Sequence, residues 1–290
     1  MRYISKLSGH SGCTIWLCGA DTGKSLFVRK ICGDSSYNYR LEQQAIKQSK
    51  YSLFFKDNLK ETEYDNVIYI PPVLNCGVLD GRFYFDMEFI VGETFGAYIL
   101  NAEIQDLVKK YSIIFRAIKL ISSTGDELIS CPKNVDINEV FKCKLNNLID
   151  HIDPIYIPLI NDIISKDFSK LTPCACFGDL SLENILVTNT GKLVFIDLLD
   201  SFFDHWVMDY SKLLFDVSSG WSNRTRKLNL NNKLRNLISL EILKDFIAKE
   251  SKYIQDVSVE FSKIHALRIL PYCDDQASKE IILNYLNRYL

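Results

Sequence analysis

Apolar and polar positions change their period along this chain, and the change divides it. Up to about residue 90 the apolar residues come in short runs rich in β-branched and aromatic types, parted by turn residues, which is the period-two signature of strands. Runs at 2–7, 13–18, 26–31, 73–79 and 82–89 are expected strands, with 67–70 leading into Pro71-Pro72 and Asp80-Gly81 as the turn between the last two. One stretch, 36–51, turns helical, with Leu41, Ala45 and Ile46 as its apolar stripe and 56–63 as a charged connector beyond it. Past residue 90 the period lengthens. Helices are expected at 93–100, 103–122 and 138–149 and through 232–290, with Pro154 and Pro158 breaking the run between. Leu107, Tyr111, Ile114, Ile118 and Ile121 recur at helical spacing and read as core, as do Leu240, Leu243, Phe246 and Ile247.

One short segment departs from the helical pattern. An apolar run at 185–187, the turn signal Asn189-Thr190-Gly191 and a second apolar run at 193–196 read as a β-hairpin. Folding it about that turn returns Asp197 beside Asn184, and Asp179, five residues before Asn184, shares the same open end. Two carboxylates and an amide oxygen form a hard-oxygen set suited to Mg²⁺. The spacing Asp-x4-Asn-x12-Asp fits the parts phosphoryl transfer requires: an Asp orienting the attacking hydroxyl, an Asn holding metal, and a further Asp bridging metal to phosphates.

Composition narrows the class without choosing within it. With 290 residues, 47% of them apolar and 24% charged, the chain is long enough for one large domain or two lobes and ordinary for a globular protein. A net charge of −2 gives no global electrostatic footprint for nucleic acid or an anionic membrane, and no apolar run approaches membrane-spanning length. The apolar stretch 13–20 behind Arg2 and Lys6 is short and preceded by Ser8-Gly9-His10-Ser11-Gly12, so a strand is expected there and not a signal peptide. Nine scattered cysteines with no C-x-x-C pair suit reduced thiols in a cytoplasmic protein better than a disulfide or zinc framework.

The residues Phe177-Gly-Asp-Leu-Ser-Leu-Glu-Asn-Ile-Leu186, followed by Phe195-Ile-Asp197, resemble the catalytic segment of the aminoglycoside phosphotransferase and choline kinase family. That resemblance implies an α+β, bilobal protein-kinase-like fold: a small antiparallel-sheet N-terminal lobe with one helix over 1–90, and a larger, mainly helical C-terminal lobe over 91–290. It implies ATP and Mg²⁺, with Asp179 as the catalytic residue and Asn184 and Asp197 as metal ligands. The family usually carries His two residues before the catalytic Asp, where this chain has Phe177; that His is a scaffold residue, so no reactant is missing.

Other pieces fall in the family's order. Gly9, His10, Ser11 and Gly12 lie between the first two strands, and glycines there let backbone N–H groups approach phosphates closely. Phe27-Val-Arg-Lys30 resembles the kinase strand whose lysine reaches the α- and β-phosphates; Lys30 takes that role, with an inward Arg29 and exposed Lys30 as the alternative. Glu42, the only carboxylate of the helix at 36–51, is the candidate partner of Lys30, with Gln44 as the alternative. The segment 87–92 resembles the hinge, which makes the Glu88 carbonyl and the Ile90 N–H the adenine contacts. Asp209-Tyr-Ser-Lys-Leu resembles the family's Asp-Leu-Ala segment, whose Asp braces the catalytic loop. Gly19-Ala-Asp-Thr-Gly-Lys-Ser25 imitates a phosphate-binding P-loop but has one residue too few between its glycines and precedes strand formers, so a hairpin turn is expected.

The expected reaction is transfer of the ATP γ-phosphoryl group to a hydroxyl of a small molecule, a sugar or sugar-like polyol first and an amino alcohol or aminoglycoside second. A cationic acceptor would need an acidic cluster, which Asp200, Asp204 and Asp216 could supply. The polar, basic segment 223–227 reads as a solvated loop or part of an anionic acceptor's site, and Arg268 as a residue facing the acceptor. No Asp-Phe-Gly or Ala-Pro-Glu follows the hairpin, which argues against a protein kinase. A catalytically silent nucleotide-binding module is the remaining alternative; retention of all three polar residues argues against it.

Overall fold

The computed structural model describes residues 2–7, 12–19, 25–124, 128–129, 136–273 and 275–290. They form two compact units, one of residues 1–93 with 186–200 and the other of 94–185 with 201–290.

The first unit is built on strands β1 (Arg2–Leu7), β2 (Cys13–Gly19) and β3 (Leu26–Cys32), helix α1 (Asn38–Leu59), and strands β4 (Ile68–Tyr69), β5 (Val73–Leu79) and β6 (Arg82–Glu88). Five of these strands make one antiparallel sheet in the order β1-β2-β3-β6-β5. Gly19 pairs with Leu26, and Leu26 opens a strand and not a helix; residues 20–24 of the P-loop imitation lie outside the described residues. The β3–β6 register sets Arg29 opposite Asp86 and Lys30 opposite Phe85. Because successive side chains leave opposite faces of a strand, the two cations diverge. Arg29 closes a buried bidentate pair with Asp86 (Nε–Oδ1 2.7 Å, Nη2–Oδ2 2.8 Å) and stacks on the Tyr84 ring. That pairing satisfies a charge the sheet would otherwise strand.

Helix α1 packs Leu41 and Ala45 against Cys32, Phe83 and Phe85. It runs on through Phe55 and Leu59, both buried, into the expected connector, since neither proline nor glycine interrupts residues 38–59. Ile46, expected in the stripe, is exposed, while Gln44, Lys47 and Gln48 are buried. The inward face of α1 is thus half polar, and apolar periodicity alone mis-sets its rotation. Gln48 Nε2 donates to the Pro71 carbonyl (2.8 Å) and Lys47 Nζ to the Leu199 carbonyl (2.7 Å). These long polar side chains are tethers.

Strand β7 (Glu93–Thr94) then leads into α2 (Phe95–Ile99), α3 (Ile104–Ser122), α4 (Ile137–Asn146) and α5 (Ile157–Ile164). Leu107, Tyr111, Ile114, Ile118 and Ile121 of α3 are fully buried, as their spacing predicts. The hairpin strands β8 (Ile185–Val187) and β9 (Leu193–Phe195) flank a turn in which Gly191 takes a φ of +80°. They belong to a second sheet of order β4-β9-β8-β7, with β4 parallel to β9. Four helices complete the chain: α6 (Trp206–Ser219), α7 (Leu230–Ile247), α8 (Lys252–Ile269) and α9 (Gln276–Leu286). Side-chain caps start all four: His205 Nδ1 accepts from Val207 N, the Asn229 side chain from Asn232 N, that of Ser251 from Ile254 N and that of Asp275 from Ser278 N. Gly220, at φ +77°, ends α6. Among the described residues no helix is long and apolar enough to cross a membrane.

Candidate active site

The segment 176–184 is irregular backbone, so its hydrogen bonds have to come from elsewhere. Gly178 stands at φ +90°, a conformation that strains any other residue. Its N–H and that of Phe177 donate to the two carboxylate oxygens of Asp209 at 2.9 and 2.7 Å. Asp209 therefore braces the loop before Asp179. After it, the Leu182 N–H donates to Asp216 Oδ2 (2.8 Å), and Asp216 also accepts from the Ser222 N–H and hydroxyl at 2.8 and 2.6 Å. The Phe177 ring is buried.

Between these anchors Asp179 is partly exposed. Its Oδ1 lies 2.7 Å from Lys212 Nζ. Asn184 turns its amide nitrogen toward Asp179, donating to the main-chain carbonyl at 2.9 Å and approaching Oδ2 at 3.4 Å. Burial by itself pushes the Asp179 carboxyl up, but the charge and hydrogen bond of Lys212 outweigh it and hold the group below the usual carboxylate range. Asp216 goes the other way: burial pushes it up to about 6 despite the three donors it accepts from.

In the first unit Lys30 is buried, and its Nζ meets Asp197 Oδ1 at 2.5 Å and Gln44 Oε1 at 3.0 Å. Glu42, the expected partner, is exposed; Gln44 takes its place because it shares the inward face of α1 with Leu41, Ala45 and Gln48, whereas Glu42 lies off that face. The Gln44 amide nitrogen is buried with no hydrogen-bond partner among the described residues. Asp197 has a φ of +56°, uncommon for a residue with a side chain, so its neighbours have to hold it. Lys47, bonded to Leu199 two residues on, is one such hold.

The remaining expected residues are placed as follows. Gly12 is exposed, and its carbonyl accepts from the Gly33 N–H at 2.8 Å; Gly9, His10 and Ser11 lie outside the described residues. Glu88 closes β6, and its carboxylate accepts from the Tyr69 hydroxyl. Ile90 follows in the irregular stretch 89–92, where a Cβ on Gly92 would stand 2.8 Å from the Val187 carbonyl oxygen, so only glycine lets that stretch lie so close to β8. The segment 223–227 is not simply solvated. Asn223 is buried and donates to the Gly96 carbonyl (3.1 Å), and Arg224 pairs with Glu183 (2.8 Å). Arg268 lays its guanidinium over the Phe202 ring, 4.8 Å from the centroid. Asp204 and Asp216 are fully buried, which removes two of the three carboxylates an acidic acceptor site could have used.

Each unit carries an oxygen donor of the kind a hard divalent cation takes. Asn184 spends its amide nitrogen on Asp179, which leaves the amide oxygen without a protein donor among the described residues. Asp197 has one oxygen on Lys30 and its second without such a donor. Oxygen-only donors of this kind suit Mg²⁺ or Ca²⁺. Sequence reasoning missed Lys212 and Asp216 as partners of the loop. Their signal was present, since both sit at helical spacing from Asp209 and are, with it, the charged residues of that helix.

The fold is protein-kinase-like, and solved structures similar to it include the following small-molecule kinases. Amicoumacin kinase hAmiN, in complex with AMP-PNP, Ca²⁺ and Ami, is similar over 98% of this chain and 86% of its own, with a TM-score of 0.63 and 12% identity. A glucosamine kinase in complex with glucosamine, ADP and inorganic phosphate is similar over 94% and 76%, with a TM-score of 0.58 and 9% identity. The streptomycin–ATP–APH(2'')-IIa ternary complex matches over 98% and 90%, with a TM-score of 0.55 and 16% identity. These are likenesses of fold. No family model and no curated protein matches the chain by sequence.

Proposed function

We propose that this protein is a small-molecule kinase that moves the γ-phosphoryl group of ATP to a hydroxyl, with a sugar or sugar-like polyol as acceptor. The observation that carries the reading is the arrangement at Asp179: a carboxylate held in its ionised form, beside an asparagine whose amide is turned so that its oxygen is left for a cation. Asp179 orients the acceptor hydroxyl and takes its proton. Asn184 and Asp197 hold Mg²⁺, which when bound neutralises the charge of the phosphates. Lys30 fixes the α- and β-phosphates, the loop at Gly9, His10, Ser11 and Gly12 covers them, and the Glu88 carbonyl and Ile90 N–H receive the adenine. Little covalent work is asked of the protein, so the rate comes from positioning and charge neutralisation. A neutral acceptor is favoured because Asp204 and Asp216, being buried, cannot face a cationic one. The fold's occurrence in kinases of glucosamine and of antibiotics supports the reading at the level of reaction class.

The test is Mg²⁺-dependent ATP consumption with a panel of hydroxyl compounds, with mass spectrometry of the products. Asp179→Asn is expected to keep ATP affinity while kcat falls by about 10²- to 10⁴-fold, the range for removing a general base. Equal turnover in this variant and the wild type would sink the assignment.

A further inference from the structure

Asp209, Lys212 and Asp216 recur at i, i+3 and i+7, which sets them on one face of α6. All three reach the same loop. Asp209 takes the main-chain N–H groups of Phe177 and Gly178, Asp216 takes that of Leu182, and Lys212, midway, takes the Asp179 carboxylate itself. The two acids act on backbone. Only the lysine acts on the reactive side chain.

Lys212 is a costly residue to keep here. Its side chain is 11% exposed in a helix whose neighbouring positions Leu213 and Phe215 are fully buried. A buried ion pair is a poor source of stability compared with an apolar side chain of similar volume. On the adjacent α8, His265 is buried and bonded through Nε2 to the Met208 carbonyl (3.2 Å) and the Ser211 hydroxyl (3.1 Å). Burial first, then the nearby Lys212 and Arg268 cations, hold that imidazole neutral. Among the described residues the ammonium pairs with one carboxylate, that of Asp179.

We propose that Lys212 is a positioning residue for phosphoryl transfer. Its ammonium occupies Asp179 Oδ1 and stops rotation of the carboxylate, so that Oδ2 is the oxygen presented to the acceptor hydroxyl. This rests on the reading of Asp179 as the group that receives the acceptor. Pairing also makes Asp179 a weaker base, but the transition state of phosphoryl transfer asks more of position than of basicity. The lysine thus trades proton affinity for aim.

The test compares Lys212→Gln, Lys212→Arg, Asp179→Asn and the Asp179→Asn/Lys212→Gln double variant with wild type. Steady-state kinetics, Mg²⁺–ATP titration and thermal unfolding are measured on each full-length protein. Lys212→Gln is expected to lower kcat by roughly 10- to 100-fold, the scale of a small misplacement of a reacting group, with Mg²⁺–ATP affinity within about twofold of wild type. Lys212→Arg is expected to recover most of that loss. In the Asp179→Asn background, Lys212→Gln is expected to change kcat by less than about twofold, because residues that act as one unit are not additive. Wild-type kcat in Lys212→Gln overturns the inference while leaving the kinase reading intact. So does a loss that tracks Mg²⁺–ATP affinity or thermal midpoint, or a full loss in both backgrounds. If Lys212→Gln does not fold, the double variant, which carries no unpaired carboxylate, decides by its kcat relative to Asp179→Asn. A wild-type protein that transfers phosphate to no hydroxyl overturns the kinase reading and this inference with it.

Discussion

Lys30 closes on Asp197 in the first unit and Lys212 on Asp179 in the second, at 2.5 and 2.7 Å, with the two carboxylates similarly exposed. What stands behind each pair differs. Lys30 leans on a neutral amide, Gln44, whose own nitrogen is left unpaired, and Asp197 occupies a backbone conformation that favours glycine. Asp179 sits in a loop tied down on both sides by buried carboxylates of a single helix. In the proposed reaction Lys30 would hold the phosphates and Asp197 the metal, which would open the first pair and leave the second shut. A partner without charge supports a lysine without capturing it. An ion pair of a given length can therefore be a latch or a fixture, and its surroundings tell which.

The comparison breaks most visibly at Asp197. Asp197→Ala is expected to weaken Mg²⁺-dependent ATP binding by at least about 100-fold, as loss of a metal-bridging carboxylate does, while Lys212→Gln leaves that binding unchanged. Calorimetric titration with and without EDTA reads both. Retained Mg²⁺-dependent binding in Asp197→Ala would remove the distinction drawn between the two pairs.

A smaller effect sharpens the second region, where two carboxylates near one loop titrate in opposite directions. Asp179 is depressed, so its contribution to stability is present at neutral pH and is lost as pH falls through its folded value. Asp216 is raised to about 6, so the folded state binds its proton more tightly than the unfolded chain does. Its contribution is complete below the unfolded value and is lost as pH rises through about 6. The change is of order 1–3 kcal/mol, from the size of the shift. Urea unfolding of wild type and Asp216→Asn between acidic and neutral pH is expected to show this dependence in the wild type alone. Identical pH profiles would mean that Asp216 does not titrate in that window.

The smallest effect concerns backbone geometry. Gly178→Ala forces a side chain into positive φ in the loop that Asp209 holds, and a loss of about 1–2 kcal/mol is expected by denaturant unfolding. An unchanged midpoint would show that the loop is less constrained than its two anchors imply.

Much of this was legible from sequence where the signal is local. The hairpin of β8 and β9 follows from two apolar runs and a turn, and β5 and the buried stripe of α3 keep the expected positions because strand and helix periods are written in neighbouring residues. Lys30 is buried, against the alternative of an exposed Lys30. What failed depended on which way a polar face points. Glu42 was favoured as the only carboxylate of its segment, yet the rotation of α1 turns Gln44 inward, and that rotation is fixed by Leu41, Ala45 and the polar tethers together. Lys212 went unassigned, and Asp216 was read only as part of an acidic acceptor cluster, for a related reason. A helix announces which residues share a face, but not which loop the face meets. The segment 223–227 looked solvated because its composition is polar, and only packing against Gly96 and Glu183 reveals the ties.

Helix α6 also has a mechanical consequence. A helix is stiff along its axis, and Asp209, Lys212 and Asp216 ride on one rod about 10 Å from first to last at the standard rise per residue. Any sliding of that rod displaces all three grips together, so the loop they hold is registered or released as a whole. The loop at Asp179, irregular in its own backbone, borrows its rigidity from a neighbour.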